Sequence, residues 1–333
     1  MSAAIPATPP TDSHVADSYE FIAPPTASRS SSVSALVTCE HASNAFPASL
    51  PLPDADSHLA DMHWAVDLGA EEFTREFSER LSAPALLSRV SRLVVDVNRP
   101  LNSDTLMRNR ADGKPIALNS NIKPHEFEDR ISKYYLPYHN MLKEAVKRYS
   151  PHFVIAIHSF TPEYEGQQRA VEVGVLFKRA QDEPHARDLC AMLRDAGIRA
   201  ELNEPWSGVE GFMYAVDSLT HTHAHLTQPA GGLPAVEEEE AELSTAHGGH
   251  AHKAHSTVVP DKLTASSRRS TQRQQPTIAS LAGRVQYPVA TLMLECRQDL
   301  MVQPQWRQRV MDVLQQCIDS KLAATTAQSA KTQ

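Results

Sequence analysis

The apolar positions of this chain follow two periods. Short runs rich in Val, Ile, Leu and Ala each stop at a polar group. Ala35-Leu36-Val37 leads into Cys39-Glu40-His41, Leu93-Val94-Val95-Asp96-Val97 into Asn98-Arg99, Phe153–Ile157 into His158, and Ala290–Leu294 into Glu295. With a fifth run over Val171–Phe177, these read as short buried strands. Elsewhere the spacing is three to four. Val66, Ala70, Phe73, Phe77 and Leu81 mark one helix face, and Ile131, Tyr135, Tyr138, Leu142 and Ala145 a second, kinked or restarted at Pro137. Further helices are expected near 184–196 and 304–321. Strands alternating with helices predict an α/β fold, its sheet covered on both faces. Ligand sites in such sheets lie at the carboxyl ends of the strands. That rule gathers Glu40, His41, Asn98, Arg99, His158 and Glu295 into one place.

Two stretches break the pattern. Residues 1–33 are rich in Pro, Ser, Thr and Ala and read as a disordered tail. Residues 218–280 hold seven histidines between His221 and His255, the acidic run Glu237–Glu240, and almost no aliphatic periodicity. They are expected to be a disordered insertion, tolerable because loop length adds little free energy. The expectation is one domain over 34–323, interrupted at 218–280, with a disordered end at 324–333.

Composition narrows the function classes. Lys+Arg 32 against Asp+Glu 40 gives a net charge of −8, which disfavours nucleic acid and anionic membranes as partners. No apolar run reaches the roughly 18 residues that span a bilayer. The N-terminus lacks the layout of a secretory signal, and Arg29 is the one cation in its first 33 residues. Cys39, Cys190, Cys296 and Cys317 have no paired spacing, so reduced thiols in a cytoplasmic protein are expected.

The strand-end residues carry the chemistry. Imidazole and carboxylate both suit Zn²⁺, so His41, Glu40 and the distant His158 are candidate ligands. Arg99, just past a strand and stopped by Pro100, can grip a carboxylate through two parallel hydrogen bonds. Arg169 is a second candidate clamp. Glu295 reads as a general base with charged neighbours. His63 and Asp67, four residues apart, fall on one face of the first expected helix, as outer support or as additional ligands. His139 reads as a helix-surface residue, and the histidine tract as an accessory that lacks the fixed geometry of a catalytic site.

Taken in order, several motifs resemble the N-formylglutamate amidohydrolase family. They are Cys39-Glu40-His41-Ala42-Ser43-Asn44, His63-Trp64-Ala65-Val66-Asp67, Ser91 to Pro100, Pro137-Tyr138-His139, His158-Ser159-Phe160-Thr161-Pro162, Gly174–Phe177, Asn203-Glu204-Pro205 and Glu295–Leu300. The resemblance covers about 34–217 and 284–320. It implies a three-layer α/β/α fold of the zinc-carboxypeptidase-like, phosphorylase/hydrolase-like kind, with a mostly parallel or mixed sheet. It also implies one Zn²⁺ per chain on His41 and His158, an Asn98–Arg99 substrate clamp and Glu295 as base. Asn44 stands where the wider group has a second ligand, and an amide binds zinc poorly. The third ligand is open between Glu40, the first candidate, Asp67 and Asn44 itself. The implied reaction is hydrolysis of N-formyl-L-glutamate to glutamate and formate, a small-molecule step usually set in histidine breakdown. Another N-acyl amino acid or a peptide is the near alternative, and metal buffering by the histidine tract the alternative from another class.

Overall fold

Strands that carry apolar side chains on both faces can be buried only in a sheet covered on both sides. The computed structural model describes residues 14–25, 33–220 and 289–331, and there these strands join one mixed sheet of eight. In chain order they are β1 (His14–Val15), β2 (Tyr19–Ile22), β3 (Ala35–Cys39), β4 (Ala85–Ser88), β5 (Phe153–Phe160), β6 (Val173–Leu176), β7 (Ala200–Leu202) and β8 (Ala290–Arg297). Across the sheet the order is β1-β2-β4-β3-β5-β8-β6-β7. The strands β4, β3, β5 and β8 run parallel, and β6 lies antiparallel to β8. The last strand of the chain thus sits in the middle of the sheet.

Four longer helices cover it: α1 (Ala70–Leu81), α2 (Leu136–Tyr149), α3 (Glu183–Asp195) and α4 (Pro304–Lys331). Alternation divides each central strand between two cores. Val37, Ile155, Ile157, Leu292 and Leu294 pack in one cluster with Phe73 and Phe77 of α1, Leu189 of α3 and Val310 of α4. Leu36, Val154, Ala156 and Met293 pack in the other with Tyr138, Met141 and Leu142 of α2. The expected α/β/α layering is what forms.

Local departures from the sequence reading have physical causes. Leu93–Val97 is a series of turns, not a strand. Its apolar side chains are buried, but its carbonyls find side-chain donors in place of a strand neighbour. Asn119 Nδ2 donates to the Leu93 carbonyl, Arg130 to that of Val94, and His139 Nε2 lies 2.9 Å from that of Val97. The first helix begins at Ala70 and not at Val66, because Gly69 adopts a left-handed φ of 79°. His63 and Asp67 therefore lie in the loop before it. Pro137 stands in the first turn of α2, where the α-helix restarts at Leu136, as expected. A π-turn over Ile131–Tyr135, with the Leu136 N–H bonded to the Ile131 carbonyl, absorbs the missing donor just before it.

The ends differ too. Residues 14–22, expected within the disordered tail, supply β1 and β2. Tyr19 and Phe21 are buried at alternate positions, and Arg75 of α1 donates two hydrogen bonds to Glu20 between them. At the other terminus α4 runs past 323 to Lys331, through an Ala-rich stretch of high helix propensity. The insertion expected over 218–280 lies, from residue 221 on, outside the described residues. Among those described, no helix is long and apolar enough to cross a membrane.

One contact ties the sheet to the loops above it. A Cβ on Gly174 of β6, which pairs with Glu295, would lie 1.8 Å from the Glu204 carbonyl oxygen. Replacing Gly174 with Ala is expected to cost about 1–3 kcal/mol by overpacking, read as a lowered Tm in thermal melting. An unchanged Tm would show that the 203–208 loop moves aside freely.

Candidate functional site

Register delivers the first residues of the site. Thr38 pairs with Ala156 across β3 and β5, and His158 with Glu295 across β5 and β8. Two residues beyond Thr38, Glu40 comes up in the same row, so Glu40, His158 and Glu295 emerge side by side at the carboxyl ends of parallel strands. All three are buried, as are His41, Asp67 and Asp96 beside them.

Three ligand-type atoms converge there. His158 Nδ1 lies 2.9 Å from Asp67 Oδ2 and 3.1 Å from His41 Nδ1, and His41 Nδ1 lies 3.3 Å from the same Asp67 oxygen. Zinc–ligand bonds of about 2.0–2.1 Å at tetrahedral angles place ligand atoms roughly 3.3–3.4 Å apart, close to this triangle. The far side of each ring is held by a carboxylate. His41 Nε2 is 2.9 Å from Asp96 Oδ1, and His158 Nε2 is 2.8 Å from Glu40 Oε2. A carboxylate can only accept, so each Nε2 carries a proton, and so does His158 Nδ1 while it faces the Asp67 carboxylate; a metal ion at the centre would take the place of that inner proton and meet the Nδ1 lone pairs. Among the described residues, His41, Asp67 and His158 form the group able to hold a metal ion.

Further contacts fix the supports. The Tyr138 hydroxyl donates to Glu40 at 2.9 Å, the Ser159 N–H to Asp67 at 3.2 Å, and the Asn98 N–H to Asp96 at 2.9 Å. Arg92 donates to Asp96 at 2.8 Å and lies 3.5 Å from Asp67 Oδ1. Burial works against charge on every one of these groups. Even so, the imidazoles hold the Asp67 carboxyl well below the usual carboxylate range, and His158 lowers that of Glu40. Burial likewise disfavours an imidazolium at His158, but the Asp67 and Glu40 carboxylates outweigh it and push its pKa up to about 10. The centre attracts positive charge. Glu295 goes the other way, since burial pushes its carboxyl up to about 7.

Above the centre opens a cavity of about 290 Å³, lined by His41, Asp67, His158, Glu295 and a wall of arginines and aromatic rings. Arg169 lies 4.9 Å from the ring centroids of Tyr164 and Trp206, Arg99 4.9 Å from Phe212, and Arg108 5.1 Å from Trp64. Arg92 is paired with carboxylates. Among the described residues, Arg99, Arg108 and Arg169 have no ion-pair partner.

His41, His158, Arg99, Arg169 and Glu295 thus meet at one site, as the sequence reading expects. Glu40 does not face the centre: it backs His158 from behind, and the loop residue Asp67 occupies the third corner. Asn98 lines the cavity, but its amide is committed to backbone, donating to the Phe212 carbonyl at 2.7 Å and accepting from the Ala215 N–H at 3.0 Å. Asn44 is on the surface, donating to Asp61. His139 is buried among Tyr135, Tyr138 and Tyr214, not on a helix surface. The His63 ring packs against Trp64 at a tilt of 39°. Asp96 and Arg92 were missed as functional residues, although an acid inside the apolar run Leu93–Val97 is itself a signal of a buried polar role. The histidine tract of the insertion lies outside the described residues.

A family model described as N-formylglutamate amidohydrolase matches residues 33–242, more than half of the chain. Among solved structures, the gene product Atu2144 from Agrobacterium tumefaciens is similar in fold. Its TM-score is 0.64 at 20% identity, covering 93% of this chain and 97% of that one. The N-acetylmuramyl-L-alanine amidase Ami1 from Mycobacterium smegmatis has a TM-score of 0.33 at 12% identity, covering 89% of this chain and 100% of that one. An aspartoacylase family protein from Mesorhizobium loti has a TM-score of 0.21 at 13% identity, covering 59% and 51%. Neither of the last two supports an argument about this chain. Comparison with curated protein sequences gives no significant match.

The geometry separates Asp67 from Glu40 in a zinc titration of the purified protein. Asp67→Ala is expected to abolish tight binding, and Glu40→Gln to weaken it by about 10- to 100-fold. The reverse order of losses would put Glu40 on the metal.

Proposed function

Because this chain belongs to the N-formylglutamate amidohydrolase family, we propose that it hydrolyses N-formyl-L-glutamate to glutamate and formate, with one zinc ion per chain on His41, Asp67 and His158. The observation that carries the reading is the buried His–Asp–His triangle at the base of a cavity whose wall holds three guanidinium groups without an ion-pair partner among the described residues. Bound there, zinc supplies a Lewis acid that polarises an amide carbonyl and lowers the pKa of a water toward ~7.

The chain's own residues do the rest. Arg99 and Arg169 bind a substrate carboxylate and so fix the amide relative to the centre. Asn98 serves indirectly, by tying down the Phe212–Ala215 segment on which the Arg99 guanidinium rests. Glu295 sits in the row of His158 with a carboxyl whose pKa lies near neutrality. It removes a proton from the attacking water and returns it to the amide nitrogen as the C–N bond breaks. Trp64, Trp206 and Phe212 give the cavity an aromatic wall. Its volume is at the small end for ligand sites, which suits a small acyl amino acid better than a folded polypeptide. The four cysteines are free and buried, in keeping with a reducing compartment such as the cytoplasm.

Formate release from N-formyl-L-glutamate by purified protein is the direct test, with loss on chelation and recovery with zinc. Glu295→Gln is expected to lower kcat by about 10²- to 10⁴-fold while zinc content stays at one per chain. Near-normal turnover in that variant removes Glu295 from the reaction. Arg99→Lys is expected to raise KM with little change in kcat, since Lys cannot reproduce a two-point grip. Unchanged kinetics would make Arg99 structural.

A further inference from the structure

Four arginines line the cavity, and Asp67 and Asp96 neutralise only Arg92. If Arg99 and Arg169 hold one carboxylate, Arg108 is a cation left over. It is only partly exposed, and its guanidinium has no hydrogen-bond partner among the described residues. Desolvating a charge without a partner is unfavourable, so the arrangement makes sense when a ligand supplies the anion.

The guanidinium is nevertheless held in place. It lies 5.1 Å from the Trp64 ring centroid, and Trp64 is itself pinned. The indole N–H donates to Asp112 at 3.2 Å, and the His63 ring packs 4.4 Å from it, centroid to centroid. An arginine resting on an aromatic ring keeps N–H groups free to meet a carboxylate at two points. Its surroundings differ from those of Arg169. Arg169 lies in the field of Glu295, whereas Arg108 lies in that of the cations Arg92 and Arg99, opposed by Asp96 and Asp104, neither of which pairs with it. Burial and those neighbouring cations lower the Arg108 pKa, and the attraction of an incoming anion works against both.

We propose that Arg108, seated on Trp64, is a second carboxylate-binding point, so that the cavity selects N-acyl amino acids with an acidic side chain. This rests on the reading of the site as an N-acyl amino acid hydrolase, and it assigns the residue that reads the second carboxylate. The isosteric pair N-formyl-L-glutamate and N-formyl-L-glutamine isolates that charge.

In zinc-loaded protein, Arg108→Gln is expected to shrink the preference for the glutamate substrate, as a ratio of kcat/KM, on the order of 10- to 100-fold. The loss should appear in KM, and Arg108→Lys should retain part of the preference. Equal losses on both substrates, or an unchanged ratio, overturn the proposal. Calorimetric binding of glutarate against butyrate gives a readout free of turnover, and the preference for glutarate should vanish in Arg108→Gln. If the wild type cleaves neither substrate yet prefers glutarate through Arg108, the hydrolase reading falls and the subsite stands. A wild type with no preference for glutarate overturns the subsite.

Discussion

Carboxylates crowded into a buried space repel one another, and the whole centre depends on what offsets that repulsion. Glu40, Asp67, Asp96 and Glu295 are each no more than 6% exposed. Three of them are drawn into a lattice of donors: Tyr138 on Glu40, the Ser159 amide on Asp67, Arg92 and the Asn98 amide on Asp96, and the two imidazoles threaded between. Those three are held ionised, and their combined field falls where the Nδ1 atoms meet. Among the described residues no hydrogen-bond donor reaches Glu295, and there burial prevails. One cluster thus contains two kinds of carboxylate, anions that form or back the candidate ligand triangle and one that can exchange a proton near neutral pH.

That electrostatic arrangement explains why so much irregular backbone sits beneath the cavity. Asp67, Arg92 and Asp96 come from loops, and a buried loop must satisfy its own peptide groups. Here side chains from afar take over the work of a strand neighbour. Asn119 and Arg130 cap the Leu93 and Val94 carbonyls, while Asp56 accepts the Ala117 and Leu118 N–H groups. The segments that carry the supports therefore have long-range partners for their peptide groups, as strands do, though they have no regular structure.

The same distinction decides what could be read from the sequence. His158 and Glu295 were legible because an apolar run that stops at a polar residue marks both the strand and its end. Strand register then makes them neighbours without further information. Asp67 was visible only as an alternative ligand, since its place is set by contacts with residues 26 and 91 positions away along the chain. Leu93–Val97 has the composition of a strand, and only the long-range donors to its carbonyls make it a turn. Tyr19 and Phe21 were lost inside a polar tail, although their alternation is the period of a strand. Glu40 shows the limit most clearly, since it lies in the expected row yet is one ring further from the centre than its chemistry alone suggests.

The position of β8 bears on how the protein comes into being. All three candidate metal ligands lie before residue 160, whereas Glu295 belongs to the final strand, which separates β5 from β6. While the chain is still emerging, the candidate ligand half of the centre can be complete before the proposed proton acceptor exists. Until β8 enters, the sheet is two pieces with unpaired edges facing each other, the kind of exposed ladder that other chains can join. The step that closes the sheet is also the one that delivers Glu295, so the sheet and the candidate site are completed together.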